Sequence, residues 1–409
     1  MARLVLGVAG GIAAYKSAFL LRLLTENGHD VRVVPTTNAL RFVGAATFEA
    51  LSHHPVTTDV FDDVDQVAHV RIGQEADLIV VAPATADLLA RTVHGRADDL
   101  LAATLLMARC PVLLAPAMHT EMWEHPATVA NVATLRERGV LVMPPADGRL
   151  TGPDAGPGRL PDPAEIADLV ELVLRAGPSA LRQDLLGRRV LISAGGTREP
   201  LDPVRYLGNR SSGKQGLALA RVAAARGAEV TLVSANVNDP VPAGARAIAV
   251  TSAEQMRIEM LREAKQADVV VMAAAVADFR PTMVREGKIK KGSGDPVPVN
   301  LTRNPDILSE LVQARHPGQV LVGFAAETGD GEATVLDYGA AKLAAKGVDL
   351  LVVNEVGSEV AFDQPDNAAT ILTADGDQIT VPRGPKAVLA ARVWDIVSIR
   401  LGTAGSRAR

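Results

Sequence analysis

The strongest constraint on the fold is a repeated local pattern. Twice the chain sets a continuous apolar run against a glycine pair. Residues 3–9 (RLVLGVA) precede Gly10-Gly11, and residues 189–194 (RVLISA) precede Gly195-Gly196. A short run that is apolar throughout, ending in a glycine turn, reads as a strand buried on both faces that feeds a helix. The echo continues. Residues 27–34 (NGHDVRVV) align with 226–233 (RGAEVTLV), where a glycine closes a helix and the next strand begins. Residues 76–82 (ADLIVVA) align with 267–273 (ADVVVMA), and residues 347–354 (GVDLLVVN) are another run of this type. Either a duplicated nucleotide-binding ancestry or the common grammar of such domains accounts for the echo.

Buried strands alternating with helical segments predict parallel sheets covered on both sides. The expected architecture is α/β, with two doubly wound, Rossmann- or flavodoxin-like three-layer domains and mainly parallel sheets. The boundary falls after a helix expected over about residues 164–175. Leu160-Pro161-Asp162-Pro163 precedes that helix and Gly177-Pro178 ends it. A linker near 177–187 separates domains expected at 1–180 and 187–409. The length of 409 residues suits two or three domains.

Composition removes several classes. With 48% apolar residues the chain has enough to bury, so it is not disordered. One cysteine, Cys110, excludes a disulfide framework and a cysteine-based metal cluster. A net charge of −5 gives no electrostatic case for nucleic acid. No run reaches the roughly 18 apolar residues of a membrane span, and the N-terminal run ends in glycines where a signal peptide would have a cleavage site. A cytoplasmic chain is expected, with no nucleic-acid or membrane partner.

In open parallel sheets ligands bind beyond the carboxyl ends of the strands. Gly10-Gly11-Ile12-Ala13-Ala14 lies at such an end, and its amides can hold a phosphate unless they form only an ordinary turn. The second strand runs into Pro35-Thr36-Thr37-Asn38 and not into an acidic residue. Hydroxyls and an amide suit a phosphate better than a ribose diol, which favours FMN over NAD. In the second half, Gly208-Asn209-Arg210-Ser211-Ser212-Gly213-Lys214-Gln215 nearly fits the phosphate loop of nucleoside triphosphatases. Gln215 replaces the required Ser or Thr and no buried strand precedes the loop, so that family is rejected. The residues still suit a phosphate before a helix expected over about 216–226. Lys288-Ile289-Lys290-Lys291 forms a basic loop, and Lys342 and Lys346 share a helical face. Each alone is an ordinary solvated charge; together with the Ser-Ser-Gly loop they suit a triphosphate accompanied by magnesium.

Taken in order, these motifs resemble those of the bacterial bifunctional phosphopantothenoylcysteine decarboxylase/phosphopantothenate–cysteine ligases of coenzyme A synthesis. The first half resembles flavin-dependent cysteine decarboxylases at residues 10–16 (GGIAAYK), His69, 82–87 (APATAD), 116–123 (PAMHTEMW) and 156–159 (GPGR). The second half resembles the ligase at 195–200 (GGTREP), 209–214 (NRSSGK), 274–280 (AAVADFR), 288–291 (KIKK), 304–306 (NPD) and 323–328 (GFAAET). The resemblance implies that CTP activates the carboxylate of 4′-phosphopantothenate as an acyl-cytidylate, which the amine of cysteine then attacks. It assigns Lys288, Lys342, Lys346, Asp278, Phe324, Met272, Ala273, Ala274, Pro305, Asp306, Ile307 and Leu308 to CTP, beside Ser211, Ser212 and Gly213 of the loop. Asn209 handles the intermediate.

In the first half the resemblance implies FMN held by Gly10, Gly11, Ile12, Thr36, Asn38, Pro83 and Thr85. There the cysteinyl thiol is oxidised, carbon dioxide leaves and 4′-phosphopantetheine results. His69 takes the place of the catalytic histidine. Two positions depart from the family. His119 stands where many relatives have an asparagine, and either binds the substrate carboxylate or moves a proton. Thr151 stands near the position of a proton-donating flap cysteine. A hydroxyl is a far weaker acid than a thiol. Cys110, before Pro111 and an apolar run, reads as core. His119, water or another group then supplies the proton; otherwise the chain is a ligase with a vestigial or regulatory flavin domain. The magnesium ligands are not assigned. The family's trimeric decarboxylase halves and dimeric ligase halves imply a homo-oligomer, up to a dodecamer.

Overall fold

The computed structural model describes residues 1–58, 68–150, 154–290, 298–327, 334–355 and 366–407. The chain divides into two compact units, Met1–Gln183 with Pro242–Gly244, and Asp184–Val241 with Ala245–Arg409.

The first unit is built on five parallel strands: β1 (Arg3–Val8), β2 (Asp30–Pro35), β3 (Leu78–Ala84), β4 (Val112–Pro116) and β5 (Leu141–Val142), in the order 2-1-3-4-5. Every residue of β3 is buried, as its unbroken apolar sequence demands. A ribbon, β6 (Ala146–Arg149) and β7 (Ala155–Arg159), follows the sheet. The helix Pro163–Ala176 closes the unit. Asp162 caps it, Pro163 opens it, and Gly177 at φ 77° ends it. Cys110 is only half-buried, at the margin of this core and not inside it, and burial pushes its thiol pKa up.

The second unit begins with β8 (Arg189–Gly195), a hairpin of β9 (Arg198–Pro200) and β10 (Tyr206–Gly208), then β11 (Glu229–Ala235), β12 (Ala245–Val250) and β13 (Val269–Met272). A second ribbon follows, β14 (Phe279–Pro281) with β15 (Leu301–Arg303). The remaining strands are β16 (Val320–Glu327), β17 (Leu350–Glu355), β18 (Asp366–Thr373) and β19 (Gln378–Pro385). Eight of them form one sheet in the order 12-11-8-13-16-17-18-19, parallel up to β17, after which β18 and β19 pair antiparallel. The glycine-rich loop after β10 leads into the helix Lys214–Ala225, two residues earlier than the sequence suggested. Gly213 adopts φ 78° as its N-cap, a left-handed conformation that sets the start. A Cβ on Gly216 would stand 2.5 Å from the Cβ of Ala194, so glycine lets this helix pack hard on β8. The closing helix Lys386–Arg407 packs its buried Trp394 over the same layer, where the indole N–H donates to the Leu219 carbonyl at 3.0 Å.

Candidate active sites

In the first unit the carboxyl ends of β1, β2 and β3 converge. The Thr36 amide donates to the Val8 carbonyl at 2.9 Å, and the Ala9 amide to the Pro83 carbonyl at 3.1 Å. Gly10 is pressed against the next loop, since a Cβ there would lie 2.4 Å from the Cβ of Asn38. A Cβ on Gly11 would lie 3.6 Å from the Thr85 methyl. Gly10, Gly11, Asn38, Pro83 and Thr85 are thereby brought together. Thr36 is buried beneath them, and its hydroxyl accepts from the Ala39 amide at 3.2 Å. Thr85 caps the helix Ala86–His94. Ile12 opens the short turn Ile12–Ala14 with its side chain largely exposed.

His69 is the second residue of the helix Ala68–Glu75. Its Nδ1 is buried and has no hydrogen-bond partner among the described residues. A buried ring nitrogen without a partner is costly in a finished core and natural where a ligand completes the site. The glycine cradle and this orphaned nitrogen fit a flavin phosphate and a proton-handling role. Ribbon β6–β7 packs on the turn after β4. The Met118 amide donates to the Gly158 carbonyl at 2.9 Å, and Gly158, at φ 145°, leaves no room for a Cβ, which would fall 2.3 Å from the Met118 carbonyl. His119 therefore lies beside the ribbon. It is exposed, heads the short helix Thr120–Trp123, and makes no capping bond with its side chain. Thr151 lies outside the described residues, as do Lys291 and Thr328.

The second unit holds a cleft of about 800 Å³ at the carboxyl ends of β13, β16 and β17. Its walls bring together residues 209–213, 272–274, Asp278, 305–308, Phe324, Lys342 and Lys346. Buried side chains tie down the β13 end. Ser193 Oγ accepts from the Ala274 amide at 3.1 Å and Thr197 Oγ1 from the Ala277 amide at 2.9 Å, so two hydroxyls with no exposure satisfy two backbone groups. Asn209 Nδ2 donates to the Val276 carbonyl at 3.1 Å, tying the glycine-rich loop to this segment. Asp306 caps the helix Ile307–Ala314 and pairs with Lys346. Burial pushes the Asp306 carboxyl up, but the Lys346 ammonium and the Ser309 bonds outweigh it, and the net shift is downward.

Lys288 is not among the lining residues. Its loop is exposed and is pinned to the turn after β9: Asp202 Oδ2 accepts from the Ile289 amide at 3.1 Å, and Arg205 donates to the Ile289 carbonyl at 2.8 Å. Three cleft residues, Arg303, Asn367 and Lys386, escaped sequence reasoning, and Gln215 and Asn354 were read only as the end of a motif and of an apolar run. Asn354 ends an apolar run and was legible as a position; no local pattern marks Lys386. Among the described residues no group of three or more His, Cys, Asp or Glu side chains is placed to hold a metal, and no helix is long and apolar enough to cross a membrane.

Residues 1–175 match the flavoprotein family, and residues 185–400 match the DNA/pantothenate metabolism flavoprotein C-terminal domain. The coenzyme A biosynthesis bifunctional protein CoaBC of Mycolicibacterium smegmatis is 59% identical over 402 residues, covering 97% of each chain. The protein of the same name from Vibrio cholerae is 41% identical over 399 residues, again 97% of each. The crystal structure of the C-terminal domain of a CoaBC protein is similar at 34% identity with a TM-score of 0.46, covering 54% of this chain and 99% of that one.

Proposed function

The chain belongs to the CoaBC family of bifunctional coenzyme A biosynthesis proteins, and from that premise we propose how its residues divide the work. It is an enzyme with a flavoprotein decarboxylase half and a ligase half. The reading of its second unit as a CTP site is carried by one observation: a single cleft gathers the glycine-rich loop at a helix start and the two lysines of a second helix.

In that cleft, a carboxylate oxygen of 4′-phosphopantothenate attacks the α-phosphorus of CTP. The bond to the β-phosphate breaks, and pyrophosphate leaves with the electron pair. The amine of cysteine then attacks the acyl carbon, CMP leaves, and a proton is released. Positioning and charge neutralisation are the protein's main tasks in such a step. Ser211, Ser212 and Gly213 face the phosphates, and magnesium travels with them. Lys342 and Lys346 neutralise charge, with Lys346 held by Asp306. Residues 272–274, Asp278, 305–308 and Phe324 enclose the nucleotide. Asn209, fixed through the Val276 carbonyl, meets the acyl-cytidylate. Lys288 contributes from its pinned loop.

In the first unit, Gly10, Gly11, Ile12, Thr36, Asn38, Pro83 and Thr85 hold FMN. Bound FMN supplies two-electron chemistry at the substrate thiol. His69 holds and moves the proton through its buried Nδ1. His119, whose imidazole is free of capping duty, takes the substrate carboxylate. Family resemblance suggests homo-oligomeric contacts, trimeric for the flavin halves and dimeric for the ligase halves, and exposed Tyr15 and Phe19 on the first unit are available to such contacts. A cytoplasmic location suits this reading, since its substrates are small and soluble.

The test supplies purified chain with 4′-phosphopantothenate, cysteine, CTP and magnesium, with and without FMN. The expected product is 4′-phosphopantetheine with the flavin and 4′-phosphopantothenoylcysteine without it. Equal ligation with ATP in place of CTP overturns the nucleotide assignment.

A further inference from the structure

We propose that Lys386 is a positioning residue for the ligase half, holding the terminal phosphates of the nucleoside triphosphate against the wall of the second unit's cleft. The proposal rests on reading that cleft as a nucleotide site and adds a residue that no sequence motif singles out. Lys386 is the first residue of the closing helix Lys386–Arg407, just as Lys214 is the first residue of the helix Lys214–Ala225. Both line the cleft. Two ammonium groups at the positive ends of two helices are poorly placed without an anion between them, because a helix start favours negative charge.

A network of side-chain amides fixes Lys386 in place. Gln215 Nε2 donates to the Lys386 carbonyl at 3.3 Å, while Gln215 Oε1 accepts from Asn367 Nδ2 at 3.3 Å. Asn367 Nδ2 also donates to Asn354 Oδ1 at 3.2 Å. The Lys386 ammonium donates to the Asp366 carbonyl at 3.2 Å. The bonds thus join the start of helix Lys214–Ala225 to β17, β18 and the start of the closing helix. Gln215 occupies the place where a phosphate loop would carry a magnesium-binding hydroxyl, and here it is committed to the wall. A lysine takes over as the polar group at this end.

The electrostatics agree with the geometry. Burial lowers the Lys386 pKa most, Lys214 and Arg383 lower it further, and the Asp366 carboxylate only partly offsets them. An incoming polyphosphate relieves that repulsion. Lys346 differs, since it already has Asp306 as a carboxylate partner. A cation held by a carbonyl, and repelled by its neighbours, is better suited to gripping an anion than one already neutralised.

The experiment is calorimetric titration of the full chain and of Lys386→Met with CTP, ATP, CMP and inorganic pyrophosphate, each with magnesium. The expected result is a loss of about tenfold or more in affinity for CTP and pyrophosphate, with CMP changed less than about twofold. Lys386→Arg recovers most of the loss. Unchanged CTP and pyrophosphate binding in Lys386→Met overturns the proposal, and so does an equal loss of CMP, which would mark a collapsed cleft. A wild-type chain that prefers CTP no more than ATP, yet loses pyrophosphate binding in Lys386→Met, overturns the cytidine reading and leaves Lys386 in place. A wild-type chain that binds neither CTP nor pyrophosphate overturns both.

Discussion

Asp202 clasps Arg205 through one carboxylate oxygen, with N–O distances of 3.0 and 2.6 Å, and the same oxygen takes the Ile289 amide at 3.1 Å. One buried carboxylate therefore sets the turn after β9 and the exit of the loop that carries Lys288. The Arg205 bond holds its pKa well below the ordinary carboxylate range, against burial and with help from the amides of Val204, Ile289 and Arg205 itself. A depressed pKa contributes stability that is present above the unfolded value and is lost only as pH falls through the folded one. The clasp should thus survive the pH range, near 3.8, in which unperturbed aspartates protonate. Asp202→Asn should lower kcat/KM for ligation about tenfold or more while decarboxylation of supplied 4′-phosphopantothenoylcysteine is kept. Steady-state kinetics of both half-reactions decide it, and undiminished ligation contradicts the clasp's role.

Gly10 and Asn38 touch so closely that no side chain fits between them. Gly10→Ala places a methyl 2.4 Å from the Asn38 Cβ, so one of the two loops must move. The expected outcome is purified protein that has lost most of its flavin, seen as a fall in visible absorbance per chain, with ligation intact. Full flavin content in Gly10→Ala removes the cradle from the phosphate assignment.

Much of this arrangement is legible in the sequence, for a physical reason. Buried parallel strands need unbroken apolar runs, and their glycine turns lie where ligands bind, so β1, β3, β8 and β13 and the loops after them stand out. The helix Pro163–Ala176 is bracketed by Asp162, Pro163 and Gly177, whose conformational preferences are strong. The antiparallel edge of β18 and β19 was missed although Asp375-Gly376, with Gly376 at φ 96°, turns one strand into the other; neither strand is the unbroken apolar run that marks the parallel core. Lys386 was hidden for a related reason. Its neighbours in the cleft, Gln215 and Asn354, lie far away in sequence, and only the sheet order brings them together. Lys288 was legible as a basic residue, but its anchor, Asp202, is 87 residues from Ile289 and makes no sequence pattern with it.

His69 offers the most direct separation of the two half-reactions. Its Nδ1 is buried without a partner among the described residues, so Asn at this position keeps a polar group and loses the titratable nitrogen. His69→Asn should release carbon dioxide at least about a hundredfold more slowly, in line with the usual contribution of general acid–base groups. Ligation should stay within twofold of wild type, roughly, since positioning in a separate cleft governs it. Carbon dioxide release at the wild-type rate removes His69 from the mechanism.

Arg226 makes the clearest stability prediction in the second unit. It is buried without measurable exposure, yet it carries a charge. Two aspartates neutralise it: Asp184, at 2.5 and 2.8 Å, from the segment that leads into β8, and Asp395, at 2.9 Å, from the closing helix. The Ala391 carbonyl takes a further bond at 3.2 Å. A buried pair with all its hydrogen bonds made contributes little net stability over an apolar equivalent, but removing one partner strands the others. Arg226→Ala removes the arginine that both carboxylates share, while Asp395 keeps its ion pair with Arg392 at 3.7 Å. Both acids keep some exposure, 22% for Asp184 and 28% for Asp395, so the cost should lie near the low end for broken buried pairs, about 3 kcal/mol. Arg226→Met, which fills the space but not the charge, should fall by a similar amount; replacing Asp184, Arg226 and Asp395 together with apolar residues should recover much of it. Chemical denaturation of each variant in a Trp123→Phe background, followed by the fluorescence of Trp394, which packs over the same helix, measures the change. A loss below about 1 kcal/mol in Arg226→Ala would mean that the two aspartates are solvated well enough without their arginine.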